Sequence, residues 1–154
     1  MRCRGLVAVS WVALAHLGVA CGGGGPTDPP DAPVDISGTW VGVVTQPGGA
    51  VSDGFRYRME LSQNDDRIRG SARAETSDTP PCFAEWRVRG TVNEVGEFAF
   101  EETRITRESP IPGFDWCLKT ADLQYVPGSP ESMSGGYQAA PSPCLPGAID
   151  LERR

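Results

Sequence analysis

The chain of 154 residues contains a single histidine, His16, and a single lysine, Lys119. His16 lies in an apolar N-terminal run, so the rest of the sequence has no imidazole. That removes Ser-His-Asp and Cys-His nucleophile systems, together with every metal site built on imidazole nitrogen. A long apolar run is missing as well. The longest, Gly5 to Ala20, has 16 residues and is interrupted by His16, whereas a membrane-spanning helix needs about 20. Positive charge is also in short supply, with 14 Lys and Arg against 20 Asp and Glu. Arg2 and Arg4 precede Cys21 and no acid does, so the formal charge of -6 becomes -8 from Cys21 onward. Such a balance argues against nucleic acid, and against an anionic lipid face, as partners. The run Gly22 to Gly25 follows no strand pattern and lacks a Lys-Ser/Thr after it, so it forms no phosphate loop.

What the sequence does hold is turn chemistry: 19 Gly and 14 Pro punctuate short runs rich in Val, Thr and aromatics, the composition of many turns between short strands. Thirteen of the 14 basic residues are Arg, which reads as compositional bias more than as a binding motif.

The first 20 residues form a secretory signal. Arg2 and Arg4 supply positive charge, residues 5–15 are apolar, and Gly18, Val19 and Ala20 are small residues before Cys21, the three parts of a cleaved export sequence. Leu17 to Cys21 (LGVAC) resembles the lipobox of bacterial lipoproteins. That resemblance implies lipid on the Cys21 sulfur, a membrane attachment through it and, with Gly22 following, a place on the outer membrane. Gly-Val-Ala also suits ordinary signal cleavage, so a secreted form is the alternative. Residues 21–34 form a Gly/Pro-rich tether; a flexible linker of this length spans about 20 Å. The folded domain is expected over 35–154.

There the apolar pattern has period two. In Phe55 to Leu61 (FRYRMEL) the residues Phe55, Tyr57, Met59 and Leu61 share one face and Arg56, Arg58 and Glu60 the other, a half-buried strand. The same reading gives strands at 36–44, 67–75, 83–92, 97–102, 116–126, 132–138 and 148–153. Eight successive strands with no helical stretch predict an all-β fold, an antiparallel up-and-down barrel, with a two-sheet β-sandwich as the alternative. The inward set is Trp40, Phe55, Tyr57, Leu61, Trp86, Val88, Phe98, Phe100, Leu123, Tyr125, Ile149 and Leu151. The outward faces carry arginine and glutamate, which excludes a membrane barrel, because Arg at mid-depth costs about 2–4 kcal/mol. The acid pairs Asp65/Asp66 and Glu101/Glu102 read as turn and solvated surface. The chain is therefore expected to be non-catalytic and to need neither metal nor cofactor.

Connections after strands 1, 3, 5 and 7 are long and those after strands 2, 4 and 6 short, so one end of the barrel gathers the long loops, the usual place for binding. Cys82, Cys117 and Cys144 fall at that end. An exported protein oxidises its thiols. If the turn near Ser129 pairs strands 6 and 7, Cys117 lies a few positions from Cys144, making Cys117 to Cys144 the favoured bridge and Cys82 to Cys144 the alternative.

Gly38-Thr39-Trp40 on the first strand of a meander resembles the G-x-W of lipocalins, eight-stranded cups for small apolar ligands. The same motif is found in avidin-like and small periplasmic inhibitor barrels. The resemblance implies that Arg153, in phase with Ile149 and Leu151, stacks on Trp40. It also implies a small apolar ligand near Tyr57, Trp86 and Trp116 at the mouth. The alternative is an interaction or inhibitor barrel whose long loops meet an envelope protein or a glycan.

Overall fold

The computed structural model describes residues 32–48, 54–77, 80–109, 115–142 and 144–154. Residues 1–20, expected to be a signal segment, Cys21 and most of the expected tether lie outside the described residues. Eight strands follow one another: β1 (Gly38–Thr45), β2 (Phe55–Asn64), β3 (Arg67–Glu75), β4 (Phe83–Val92), β5 (Glu97–Glu108), β6 (Leu118–Val126), β7 (Ser132–Ala140) and β8 (Gly147–Arg153). Each is antiparallel to its sequence neighbours, and β8 returns to β1, so the ladder closes into a barrel. The alternative of two stacked sheets does not apply.

Closure needs close backbone approach at the β1/β8 seam, and glycine supplies it on both sides. A Cβ at Gly42 would lie 1.9 Å from the carbonyl oxygen of Asp150, and one at Gly147 1.9 Å from that of Thr45. The rest follows from alternation: along Phe55–Leu61 every second side chain is buried and every other exposed.

The inside is solid. Trp40, Tyr57, Met59, Trp86, Phe98, Met133 and Ile149 are fully buried, and Ala72, Ala74, Ala84 and Ala121 leave room for the rings. An eight-stranded barrel is only wide enough to be filled by side chains or to hold one small ligand. Tyr125, expected inside, is only partly buried and closes the lower end with its ring edge-on to Trp40, 6.2 Å between centroids.

Two expectations are corrected. Residues 103–108 belong to β5 and form no loop. Register shifts between Glu85 and Trp86 and between Arg87 and Val88 insert extra residues into β5, which destroys period two and hides the strand. Glu102 is not on the solvated surface: it is 3% exposed and faces the interior.

Short turns form one end. Asp65 takes a positive φ in the β2/β3 turn, and the Asn93 side chain accepts the N–H of Val95 and of Glu97 in the β4/β5 turn. The segment before β1 crosses this end, with Ile36 buried and its N–H donated to Gln63. Val34 already donates its N–H to Asn93. Trp40 Nε1 donates to Ile36 O at 2.8 Å. Trp40 and Arg153 are register partners, and the guanidinium lies 4.8 Å from the ring centroid. Arg153 also donates to Ser37 O and Asp35 O and forms an ion pair with Glu131.

Truncating Trp40 to Ala should cost about 3–5 kcal/mol as a large core deletion. Arg153→Met should cost about 1–2 kcal/mol if the cation-π contact is desolvated. In a double-mutant cycle by urea unfolding the second loss should shrink in the Trp40→Ala background by the cation-π share, leaving what the Ser37, Asp35 and Glu131 contacts contribute. Strict additivity would show that the two side chains do not work together.

Candidate functional site

The opposite end gathers the long connections, and beneath it a polar cluster is buried in the barrel. Glu102 belongs to the inward phase of β5 with Phe98 and Phe100, and Lys119 to the inward phase of β6 with Ala121 and Leu123. Between Glu97–Glu101 and Thr120–Gln124 the two strands form an ordinary ladder, which ends there. At the next position the Glu102 side chain takes over: its Oε2 accepts the backbone N–H of Lys119 at 2.9 Å. The same carboxylate receives Lys119 Nζ on both oxygens, at 3.2 and 3.1 Å. Tyr57 Oη donates to its Oε1 at 2.6 Å. Lys119 Nζ lies 3.9 Å from the Trp86 ring centroid, so the one lysine of the chain is held between a carboxylate and an aromatic face.

Burial dominates the electrostatics. It holds the Glu102 carboxyl above the usual carboxylate range although Lys119 and Tyr57 pull it down. It likewise lowers the Lys119 pKa against the attraction of Glu102. The Tyr57 phenol is pushed well up, first by burial and then by the Glu102 charge, and Tyr137 is raised for the same two reasons. A buried ion pair of this kind contributes little net stability, yet removal of one partner strands the other.

Above the cluster sits Trp116, half-buried between β5 and β6. Its ring is edge-on to Trp86, 5.8 Å between centroids, and tilted against Phe55 at 5.4 Å. Its Nε1 donates to Ser109 O at 3.0 Å. Tyr57, Trp86 and Trp116 are thus brought together, but Tyr57 and Trp86 lie sealed beneath Trp116 and Phe55 and do not face the mouth. Trp86 Nε1 is buried and has no acceptor among the described residues. Cys117 and Cys144 form a disulfide with 6.4 Å between Cα atoms, tying the start of β6 to the β7/β8 connection. Leu118 pairs with Ala140 in the ladder, which places the two cysteines in reach. Cys82 lies at the same end, outside the bridge; its N–H donates to the Thr76 hydroxyl.

Sequence reasoning passes over Glu102 and Lys119, although the signal is there in their phase. Each continues an inward apolar series, and two charges of opposite sign in inward phase on adjacent strands specify a buried pair. Among the described residues no three His, Cys, Asp or Glu side chains gather to hold a metal ion. Nor is any helix there long and apolar enough to cross a membrane.

What the geometry defines is a closed, eight-stranded antiparallel barrel with a filled interior and a sealed ion pair under its loop end. No protein-family model matches the sequence, and no curated protein matches it either.

Replacing Lys119 with Met should destabilise the fold by about 3–5 kcal/mol at neutral pH, because Glu102 is left charged and buried. A carboxyl whose folded pKa is raised contributes stability below its ordinary pKa and loses it as pH rises through the folded value. The variant's deficit should therefore be smaller at an acidic pH than at neutral pH, because burial raises the Glu102 carboxyl and it takes a proton as pH falls. Urea unfolding of both proteins at the two pH values checks this; an unchanged deficit would contradict a charge-based cost.

Proposed function

We propose that this chain is a non-catalytic interaction module of a bacterial cell envelope. Lipid on Cys21 holds it to the outer membrane, and the long loops at the disulfide end engage an envelope protein or a glycan. The observation that carries the reading is the filled interior. Trp40, Tyr57 and Trp86 take the space a ligand would need, and Trp116 packs over Trp86. The disulfide at the loop end supports the same reading, since it stiffens the base of two connections and reduces the ordering cost of binding through them. The charged residues under the rim are paired with each other and sealed from solvent, which favours a structural role over a catalytic one. The lipobox-like LGVAC and the Gly/Pro tether support the anchor.

One atom favours a second reading, the small-ligand cup. Trp86 Nε1 is a buried donor without an acceptor among the described residues, and a small molecule carrying an acceptor atom under a displaced Trp116 would satisfy it.

Native mass spectrometry of the protein extracted from its own envelope separates the two. The expected spectrum shows the chain from Cys21 onward with acyl mass added and nothing else, and Cys21→Ser should move the protein out of the membrane fraction. A stoichiometric small molecule that is lost in Trp86→Phe would replace the loop reading with the cup. Equal membrane fractions for Cys21→Ser and wild type would end the lipid anchor.

A further inference from the structure

The net negative charge conceals an uneven distribution. Outward positions of β2 to β5 carry nine arginines and six glutamates, while those of β6, β7, β8 and β1 carry Asp122, Asp150 and Glu152 and no base. One wall of the barrel is therefore basic and the opposite wall acidic. The register sharpens the contrast, because Arg58 faces Arg73, Arg69 faces Arg89, and Arg87 faces Arg104. Like charges directly opposite on neighbouring strands destabilise a sheet, so the fold gains nothing from these pairs. A local rule broken without a structural return marks a functional surface.

Some of the arginines are neutralised. Arg58 pairs with Glu60, Arg73 with Glu75 and Glu85, and Arg89 with Glu101. Arg69, Arg87 and Arg104 have no acidic partner among the described residues, and all three are exposed. They run across β3, β4 and β5, and an open groove lined by Arg69, Arg87, Arg89 and Thr103 lies along their path.

We propose that the outer wall of β2 to β5 binds an acidic polysaccharide, whose sulfate or carboxylate groups are held by Arg69, Arg87 and Arg104. The guanidinium fork matches both groups with paired hydrogen bonds. Neighbouring arginines stand about 5 Å apart across strands and about 7 Å apart along them, so a chain with an anion on successive units meets one after another. Curvature favours a chain over a membrane. From β3 to β5 is two of the eight strand steps, about a quarter of the circumference of such a barrel, and a flat bilayer cannot touch both ends of that arc. Stacking chemistry argues against single-stranded nucleic acid, which binds aromatic platforms. The aromatic side chain at the edge of this wall, Phe83, is covered by Arg73 at 4.0 Å and Arg107 at 5.1 Å. The inference rests on neither the tether nor the loops.

Titration of the intact protein with heparin, followed by calorimetry at low and physiological salt, tests it. The triple variant Arg69→Ser/Arg87→Ser/Arg104→Ser should bind about tenfold or more weakly, with a log-log salt slope lower by about one per arginine removed. The control Thr45→Glu/Ser132→Asp/Ser134→Asp changes the net charge equally on β1 and β7, away from β3 to β5, and should lose no more than about twofold, since screening limits charges at that distance. Arg→Lys at the same three positions should keep the salt slope and lose part of the affinity, because charge remains and the fork does not. The thermal midpoint of the Ser variant, unchanged or higher, shows that its fold is intact. Three results would overturn the proposal: no heparin binding by the wild type at low salt, equal losses in the two triple variants, or tighter arginine-dependent binding to phosphatidylglycerol vesicles or to single-stranded DNA.

Discussion

The pairing of β8 with β1 constrains every other part of this molecule, because closing eight strands fixes how wide the inside can be. Gly42 and Gly147 let the two backbones meet where a side chain would strike a carbonyl oxygen. Once the ring is closed, no sheet edge is left open to pair with another chain. The interior is then narrow enough for side chains to fill, and Trp40, Tyr57, Trp86 and Phe98 lie buried in it. Whatever this protein recognises, the closed ring directs it towards the rim and the outer walls.

The Glu102–Lys119 pair shows what closure costs at its weakest seam. The β5/β6 ladder stops after Glu101 and Thr120, and beyond it a carboxylate stands in for a backbone carbonyl, accepting the Lys119 N–H. Such a replacement brings charge into an apolar interior. The charge is tolerated because Lys119 and Tyr57 meet the carboxylate and Trp86 lies against the ammonium. Desolvation works against both ions and the hydrogen bonds work for them. The seam is thereby held shut by chemistry that fails if either partner is lost.

Much of the barrel is legible in the sequence, because a half-buried antiparallel strand writes its two faces directly into alternate residues. Phe55–Leu61 needs nothing more than period two, and the disulfide follows from the strand 6/strand 7 register. The illegible parts have definite physical causes. Two register shifts add residues to β5, so 103–108 lose their alternation and read as loop. Glu102 is hidden because a carboxylate suggests solvent, although its phase with Phe98 and Phe100 points inward. The basic wall is invisible in a net charge of -6, since it exists only when four strands stand side by side. The chain before residue 32 lies outside the described residues, so the anchor rests on sequence alone.

Native-state hydrogen exchange of the backbone amides by NMR tests the closed, filled barrel most directly. Closure predicts that Val43 and Asp150, register partners whose amides cross the β1/β8 seam, exchange as slowly as Ala72 and Trp86, partners in the β3/β4 ladder, through global unfolding alone. Fast exchange confined to β1 and β8 would mean that they are the free edges of an open sheet, and the filled barrel with its outward-facing function would be wrong.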